Sequence, residues 1–245
     1  MIRTFEELSL NAWPALQTKL YDGWILRFAN GYTKRSNSIN PLYDSVLPLE
    51  EKINTCEAEY RARNLPVIFK LTAASVPQGI DAVLEQRNYY RLDETSVRVL
   101  AMNQYQSRRP EGVLVETAFS DGWLADFYAC SGMNDPQVQQ TAQSLLKNIL
   151  GKVVIVRKVV DGQTVGCGFG AIERGHVGIY DIMVDKDQRG RGYGRDIMDG
   201  ILSAATHEKF ETAYLAVIVG NAPAENLYRS IGFQEIYRYW YRKKE

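Results

Sequence analysis

The chain has 245 residues, more than one average domain and few for two large ones. It is 45% hydrophobic and 11% aromatic, so it can bury a core and is not expected to be disordered. Its 29 basic and 29 acidic residues cancel, and the missing basic surplus argues against a general nucleic-acid binder.

Cysteine and histidine are scarce and scattered. Cys56, Cys130 and Cys167 show neither metal-ligand spacing nor a disulfide framework, and two histidines, His176 and His207, offer little for a zinc site or a histidine-based triad. We therefore predict no metal site. The first residues lack a signal-peptide pattern, and no run of about 18 apolar residues would cross a membrane. We expect a cytoplasmic protein without nucleic-acid or membrane partners.

The first half shows three regular elements. A strand is predicted at Tyr21–Phe28, an amphipathic helix at Leu49–Arg63 and a strand at Val67–Leu71. The helix has to end before Pro66, because a proline disfavours helical backbone in the preceding residue.

A polar stretch containing proline and glycine follows, from Asn103 to Gly112. Such composition is typical of a linker. The sequence therefore predicts an N-terminal domain over residues 1–105 and a second domain over residues 111–245.

The second half alternates helices and strands. The predicted elements are helices Asp121–Cys130 and Pro136–Leu150, strands Val153–Val160, Thr164–Glu173 and Val177–Val184, a helix from Tyr193 to about His207, a strand Thr212–Val219, a helix Pro223–Ile231 and a strand Gln234–Arg242. Asp121 and Asp135 are the expected N-caps of the first two helices, and Asp161-Gly162-Gln163 is a hairpin signal. Antiparallel strands followed by strand–helix–strand predict an α/β protein with a mixed sheet and helices on its faces.

The two halves end in a similar way. Leu84–Tyr89 and Tyr228–Phe233 each close a helix with a residue tolerant of positive φ, Asn88 or Gly232, followed by an aromatic residue and a strand. This pattern suggests an internal duplication. The first half lacks a glycine loop and has leucine where the second half has tyrosine, so we expect the first half to be non-catalytic.

The strongest motif is a glycine loop between the strand ending at Val184 and the helix starting at Tyr193. Gly190, Gly192 and Gly194 leave backbone N–H groups uncovered and allow dihedral angles that other residues resist. These N–H groups, with the positive end of the helix behind them, form an anion site.

Arginines surround this loop. Arg189, Arg191 and Arg195 add positive charge for a pyrophosphate or a ribose phosphate, although solvated arginines on a plain glycine loop are the alternative. A P-loop would need a Gly-Lys-Ser/Thr ending, which is absent. A dinucleotide fold would need an acidic residue closing the next strand, where Gly220-Asn221 stands.

Two segments resemble the GNAT superfamily of N-acetyltransferases. They are Val184-x4-Arg189-Gly-Arg-Gly192-Tyr-Gly194, similar to the R/Q-x-x-G-x-G/A motif, and Asn221-x-x-Ala224-x-x-Leu227-Tyr228-x3-Gly232-Phe233, similar to the second signature. Together they cover about residues 178–233, and the strand order back to about residue 112 agrees with the family's catalytic domain. The resemblance implies a GNAT-like fold, and the suspected duplication would make it a tandem of two such folds.

The resemblance also implies an acetyl-CoA donor. In the family, the strand matching Ile179–Val184 splays from the one matching Thr212–Val219, and the pantetheine arm fills the gap. By this resemblance, backbone groups of Ile182, Met183 and Val184 contact the pantetheine amides and the acyl carbonyl. Asn221 also contacts the pantetheine. The pyrophosphate is held by Arg189, Gly190, Arg191, Gly192, Tyr193 and Gly194.

Two residues are candidates for proton transfer. Tyr228 matches the tyrosine that protonates the leaving thiolate in the family, although a core aromatic is the alternative. Asp181 lies in an apolar strand beside the implied slot and is the candidate base, with a structural carboxylate, or water as the acceptor, as alternatives. Cys167 has no basic partner in sequence, which favours direct transfer over an acyl-cysteine intermediate.

The predicted function is transfer of an acetyl group from acetyl-CoA to a primary amine of a small molecule, peptide or protein, in one ternary complex. A non-catalytic acyl-CoA-binding or regulatory module would carry the same motifs, and a nucleotide-binding protein is a further alternative. Neutral overall charge gives no indication of the acceptor, and the oligomeric state is open.

Overall fold

A computed structural model describes residues 1–208 and 210–245, apart from the side chain of His207. The chain forms two compact units: unit 1 contains residues 1–96 and 237–245, and unit 2 contains residues 97–236. The change between units falls inside a strand, upstream of the expected linker, and the C-terminal segment belongs to unit 1. The division of labour between an accessory and a catalytic part stays a prediction.

The elements follow in chain order. Up to the change of unit they are α1 Ile2–Ala12, β1 Gln17–Tyr21, β2 Trp24–Phe28, β3 Ile39–Pro41, α2 Leu49–Arg61, β4 Val67–Thr72, α3 Ile80–Gln86 and β5 Tyr90–Ala101. Thereafter they are β6 Val113–Glu116, α4 Asp121–Ser131, α5 Pro136–Lys147, β7 Lys152–Val160, β8 Gln163–Glu173, β9 His176–Val184, α6 Tyr193–Ala205, β10 Thr212–Ile218, α7 Ala222–Ile231 and β11 Gln234–Lys244. Within the described residues, every helix falls short of the length and apolarity needed to cross a bilayer.

Unit 1 has the strand order β1-β2-β3-β4-β11. The single strand predicted at Tyr21–Phe28 is wrong, because Asp22 and Gly23, with φ of 42° and 80°, make a tight turn between β1 and β2. Strand β11 pairs antiparallel with β4, from Tyr239↔Thr72 to Lys244↔Val67. A segment distant in sequence therefore completes the sheet of unit 1.

Unit 2 has the strand order β10-β9-β8-β7-β6. Strands β6 to β9 pair antiparallel, whereas β9 and β10 run parallel and are connected through α6. The apolar face of α6 packs on the sheet, and the buried α6 members of this core are Ile197, Met198, Ile201, Leu202 and Ala205. Close packing relies on glycines in β8: a Cβ at Gly170 would lie 2.7 Å from Ile201 Cγ2. The predicted α/β mixed sheet is confirmed.

The helix caps of unit 2 follow side-chain chemistry. Ser120, not Asp121, caps α4, because Ser120 has extended backbone and its Oγ accepts from the amide of Trp123. Asp135 caps α5 as predicted. That helix ends at Lys147, so its predicted extension to Leu150, which is fully exposed, is wrong.

The stretch predicted as a linker is fixed to α6. Tyr105 Oη donates to Asp199 Oδ1 over 2.8 Å, and Ser203 Oγ donates to the carbonyl of Arg108 over 2.7 Å. The polar residues of this stretch therefore form side-chain and main-chain hydrogen bonds with α6. The stretch Asn103–Gly112 is thus held against α6 within unit 2.

The predicted duplication is supported by local structure. The order β3-α2-β4-α3-β5 repeats the order β9-α6-β10-α7-β11, with a parallel pair, β3/β4 or β9/β10, in each set. The amide of Tyr89 donates to the carbonyl of Leu84 over 3.0 Å, and that of Phe233 donates to the carbonyl of Tyr228 over 3.0 Å. In both segments the residue before the aromatic one has a positive φ, 64° at Asn88 and 111° at Gly232.

Candidate active site

The parallel strands β9 and β10 separate part-way along their length. Their registered pairs run from His176↔Thr212 to Ile179↔Leu215, and none lies beyond this point among the described residues. Beyond that point exposed and buried residues alternate along β10: Val217 is buried, whereas Ile218 has 53% of its surface in contact with solvent. The separation leaves main-chain groups on the facing edges available, as the GNAT resemblance implies.

A β-bulge in β9 lies beside this separation. The register with β8 changes from Cys167↔Met183 to Phe169↔Tyr180, so that Asp181 and Ile182 together face Gly168. Asp181 has φ of 49°, a left-handed conformation that is uncommon for residues other than glycine. The bulge thus changes the direction of the strand at the candidate base.

The residues after the bulge are half-buried. Ile182 and Val184 pack against the core of unit 2, and Met183 pairs with Cys167 across the sheet. The strand ends where the amide of Asp185 donates to the carbonyl of Val165 over 2.9 Å. The implied pantetheine-contacting residues therefore line the β9 edge of the separation.

The glycine loop presents a row of main-chain donors. Within the described chain, the amides of Gly190, Arg191, Gly192, Tyr193 and Gly194 donate to no protein acceptor. Gly190 and Gly192 have φ of 78° and 84°, and a Cβ on either would meet nothing within 4 Å. Open space over unpaired N–H groups at the start of a 13-residue helix is the arrangement that binds phosphate groups.

Two arginines of the loop are exposed. Arg189 donates from Nε to the carbonyl of Val184 over 3.2 Å, so its side chain is tied to the end of β9. Arg191 has no hydrogen bond or ion pair with the residues that the structure describes. Both guanidinium groups are accessible to an anion.

The third arginine has a different environment. Arg195 Nε donates to Asp199 Oδ2 over 2.9 Å, and its Nη1 lies 3.3 Å from Ser230 Oγ. An internal carboxylate therefore offsets the charge of Arg195, and the phosphate contact expected of this residue stays a prediction.

Asn221 caps the N-terminus of α7, a position that asparagine favours. Its Oδ1 accepts from the amide of Ala224 over 3.4 Å. Its own amide donates to the carbonyl of Ile218 over 3.2 Å, at the exposed end of β10. The side-chain NH2 of this exposed residue is left for a further acceptor.

Tyr228 lies half-buried on α7, with its ring 6.2 Å from that of Phe233. Burial, and then the negative charge of Asp181, raise the pKa of Tyr228 to about 12. No residue that the structure describes accepts a hydrogen bond from its hydroxyl. The two candidates for proton transfer thus lie within electrostatic reach of each other, with the phenol protonated near neutral pH.

The sulfur atoms behind the site are unsuited to nucleophilic catalysis. Cys167 is fully buried, and a hydrogen bond with Cys130 together with burial raises the pKa of its thiol far above the ordinary value. A thiol that stays protonated is a poor nucleophile. This chemistry agrees with direct transfer.

Sequence reasoning missed two features of this site. Gly168 faces the bulge, and a Cβ there would lie 2.5 Å from Ile182 Cδ1. Arg98 pairs with Glu225 in the first turn of α7 over 3.4 Å. The glycines of Val-Gly-Cys-Gly-Phe-Gly were a readable signal, because glycine inside a strand often marks a bulge or a close approach. Arg98 had no local signal.

A family model described as "Probable histone acetyltransferase Rv0428c C-terminal" matches residues 1–242 of this chain. The chain belongs to this family and is a member of the GNAT superfamily. This GNAT protein is an acyltransferase, and its resemblance extends across both units rather than only over residues 178–233.

Similar proteins cover nearly the whole chain. An "Uncharacterized N-acetyltransferase YobR" of Bacillus subtilis (strain 168) is 27% identical over 247 residues, which is 99% of this chain and 98% of the relative. A GCN5-related N-acetyltransferase from Kribbella flavida has a TM-score of 0.73 at 14% identity, covering 99% of this chain and 95% of that one.

A tandem GNAT protein from the clavulanic acid biosynthesis pathway is similar in fold. It has a TM-score of 0.64 at 12% identity, with 98% of this chain and 87% of that chain covered. At these identities the solved structures bear on the fold alone. Together they agree with a GNAT-like fold that spans the whole chain, as predicted.

Proposed function

We propose that this GNAT protein transfers an acetyl group from acetyl-CoA to a primary amine in one ternary complex. The observation that most supports acetyl-CoA as the donor is the row of unpaired amides from Gly190 to Gly194 beside separated strands. A diphosphate matches the amides, and an extended amide-bearing arm matches the open strand edges.

Each part of the donor then has its contacts in unit 2. The amides of Arg189, Gly190, Arg191, Gly192, Tyr193 and Gly194 hold the diphosphate. Main-chain groups of Ile182, Met183 and Val184 pair with the pantetheine arm and polarise the acyl carbonyl. The side chain of Asn221, on the opposite edge, donates to the arm.

Tyr228 acts as the acid in this proposal. When the amine nitrogen bonds to the acyl carbon, the C–S bond breaks and the sulfur leaves as a thiolate. A phenol whose pKa is raised to about 12 keeps its proton until that charge develops, and then donates it to the sulfur.

Asp181 acts as the base, directly or through water. It takes the proton that the amine loses, and its negative charge disappears as it does so. Because that charge raises the pKa of Tyr228, its loss makes the phenol a better acid when the thiolate forms. The phenolate is then reprotonated, and the carboxylic acid deprotonated, through solvent.

Unit 1 is proposed to be an accessory, non-catalytic part. Its helix α2, the counterpart of the donor-binding α6, carries Glu50 and Glu51 in its first turn, where negative charge disfavours a phosphate. Leu84, the counterpart of Tyr228, is a buried core residue without acid chemistry. The acceptor is an amine of a small molecule, peptide or protein. A cytoplasmic location also remains part of the proposal, since three buried free cysteines suit a reducing compartment.

A thiol-release assay with acetyl-CoA and a panel of primary amines tests this function. The proposal predicts amine-dependent release of CoA together with a stoichiometric amide product. The alternative, a non-catalytic acyl-CoA-binding module, predicts donor binding with no release above the buffer rate. A protein that binds ADP as tightly as CoA would support the nucleotide-binding alternative.

A further inference from the structure

Arg195 joins the helix that begins at the glycine loop to the helix that carries Tyr228. It lies in the first turn of α6, and its Nη1 reaches Ser230 on α7, 3.3 Å from Oγ and 3.4 Å from the carbonyl oxygen. Ser230 lies two residues after Tyr228. Its Oγ donates in turn to the carbonyl of Leu227 over 2.7 Å, so the contact is anchored in the turn that contains Tyr228.

The orientation of this guanidinium is set by a buried carboxylate. Asp199 is 2% exposed, and its Oδ2 accepts from Arg195 Nε over 2.9 Å. Its Oδ1 accepts from the hydroxyl of Tyr105 over 2.8 Å. Both carboxylate oxygens are therefore engaged. The planar fork of arginine can donate to the carboxylate on one side and to α7 on the other.

Helix α7 depends on such contacts because few of its residues are buried. Ile231 is its one buried residue within the described chain, and the other apolar side chains that it packs against the core of unit 2 are only partly buried. At its other end, Glu225 pairs with Arg98. Beside the glycine loop, a Cβ on Gly194 would lie 3.3 Å from Leu227 Cδ2, so α6 and α7 are in close contact one residue before Tyr228.

We propose that Arg195 is a positioning residue for Tyr228, coupling the place of the acid on α7 to the helix whose start forms the donor loop. This inference rests on the proposed function for the role of Tyr228, although its structural part does not. It also replaces the expectation that Arg195 is a phosphate ligand. The two roles differ in what a substitution would change. Replacing a phosphate ligand weakens donor binding, whereas replacing a positioning residue lowers kcat.

Arg195→Lys is the informative variant. Lysine keeps a positive charge for the buried Asp199, but its single ammonium lacks the fork that also reaches Ser230. Ser230→Ala is the second variant, because it removes the Oγ acceptor and leaves the pair with Asp199 intact. Arg229→Ala is the matched control, since Arg229 is exposed on the same helix and its contact with Asn226 lies within that helix.

We expect Arg195→Lys to lower kcat by about tenfold, a part of what a general acid contributes, while the Kd for CoA stays within about twofold. In a Tyr228→Phe background, Arg195→Lys should lower kcat by less than about twofold, because the hydroxyl through which Arg195 acts is already missing. Ser230→Ala should shift kcat in the same direction by less, and Arg229→Ala should match the unaltered chain.

A second readout does not depend on turnover. In full-length protein labelled with 13C at the tyrosine ring carbon bearing the hydroxyl, the Tyr228 resonance is assigned by its loss in Tyr228→Phe. Arg195→Lys should move this resonance and lower the pKa of Tyr228, because the ring leaves its buried place near Asp181. Arg229→Ala should do neither.

The outcomes separate the two proposals. An unchanged Tyr228 resonance in Arg195→Lys, with unchanged kcat or with CoA affinity lowered about tenfold, overturns the positioning role. If the unaltered chain turns over no amine while the resonance still moves only in Arg195→Lys and Ser230→Ala, the positioning stands and the proposed function fails.

Discussion

The negative charge of Asp181, at the bulge of β9, contributes to the raised pKa of Tyr228, on α7 of the same unit. The positive φ of Asp181 marks the bulge in β9, and Tyr228 lies on α7. Burial and the Asp181 charge raise the pKa of the phenol to about 12. In the proposed mechanism, protonation of Asp181 by the acceptor amine removes this charge and makes Tyr228 a better acid, which would link the two proton transfers.

Replacing Tyr228 with phenylalanine should lower kcat by about a hundredfold or more, the lower end of the usual effect of a general acid. The Kd for CoA should change little, since the ring remains and the amides of the glycine loop are untouched. Steady-state kinetics and calorimetry on the same preparations measure both. Tyr90→Phe, at an exposed tyrosine of unit 1, serves as the control. An unchanged kcat in Tyr228→Phe would remove this residue from the mechanism.

Asp181→Asn should lower the pKa of Tyr228 from about 12 towards its ordinary value of about 10, because the raising charge is lost. The effect of pH on stability has a definite sign, because folding raises the pKa of Tyr228. The neutral phenol therefore contributes fully to the free energy of unfolding below about pH 10, and this contribution is lost as the pH rises through about 12. Tyrosine NMR across this range measures the change. Asp161→Asn, in the exposed β7–β8 turn, should leave the pKa unaltered, and an unaltered value in Asp181→Asn would contradict the interaction.

Gly168→Ala should disturb the bulge. The added Cβ would lie 2.5 Å from Ile182 Cδ1 and 3.0 Å from Ile197 Cγ2, so the side chain of Ile182 or the strand that carries it has to move. We expect a loss of about 1–3 kcal/mol in the free energy of unfolding and a raised KM for acetyl-CoA. Denaturant titration and kinetics measure these quantities. Gly122→Ala, where the nearest atom to the new Cβ is 3.9 Å away, is the control: it should not lower the free energy of unfolding, since alanine favours the helix that contains it, and should leave KM unchanged.

Asp81→Asn should make unit 1 less stable near neutral pH but not in acid. Hydrogen bonding to Arg242 is the largest cause that holds the pKa of Asp81 below its ordinary value, and Arg242 is almost fully buried in β11. Because folding lowers this pKa, the stabilising effect is present above about pH 4 and is lost as the pH falls through the folded value. Thermal unfolding at several pH values measures it.

The control for that measurement is Glu94→Gln. Glu94 pairs with Arg238 in a solvent-exposed ion pair, which should matter by less than about 1 kcal/mol. A difference between Asp81→Asn and the unaltered chain that stays constant from neutral pH into acid would contradict the role given to the Asp81–Arg242 pair.

Features with local causes could be predicted from the sequence. The Asp161-Gly162 turn, the Asp135 cap and the glycine loop each depend on neighbouring residues, and all three are present as expected. The Asp22-Gly23 turn carries the same type of signal, but the predicted strand Tyr21–Phe28 extends through it. The GNAT motifs predict the contacts proposed for the donor for the same local reason, because each motif is a short run of neighbouring residues.

Features that depend on distant residues could not be predicted in this way. Nothing in β11 indicates that it pairs with β4, which lies more than half the chain away, so the sequence suggested different limits for the units. Arg195 looked like a phosphate ligand because its buried partner Asp199 is not distinguishable from an exposed acid by pattern alone. Partners and burial are properties of the folded chain.

The central claim is that main-chain amides of Gly190–Gly194 hold the donor's diphosphate. Calorimetry with CoA and with pantetheine, on the unaltered chain and on Gly192→Ala, tests it most directly. Alanine at a φ of 84° is strained by about 1 kcal/mol, with no steric obstacle in the open space above it. We predict that the substitution weakens CoA binding at least about tenfold and leaves the much weaker binding of pantetheine unchanged. Equal weakening of both ligands, or no heat from the unaltered chain with CoA or any of its thioesters, would contradict the account.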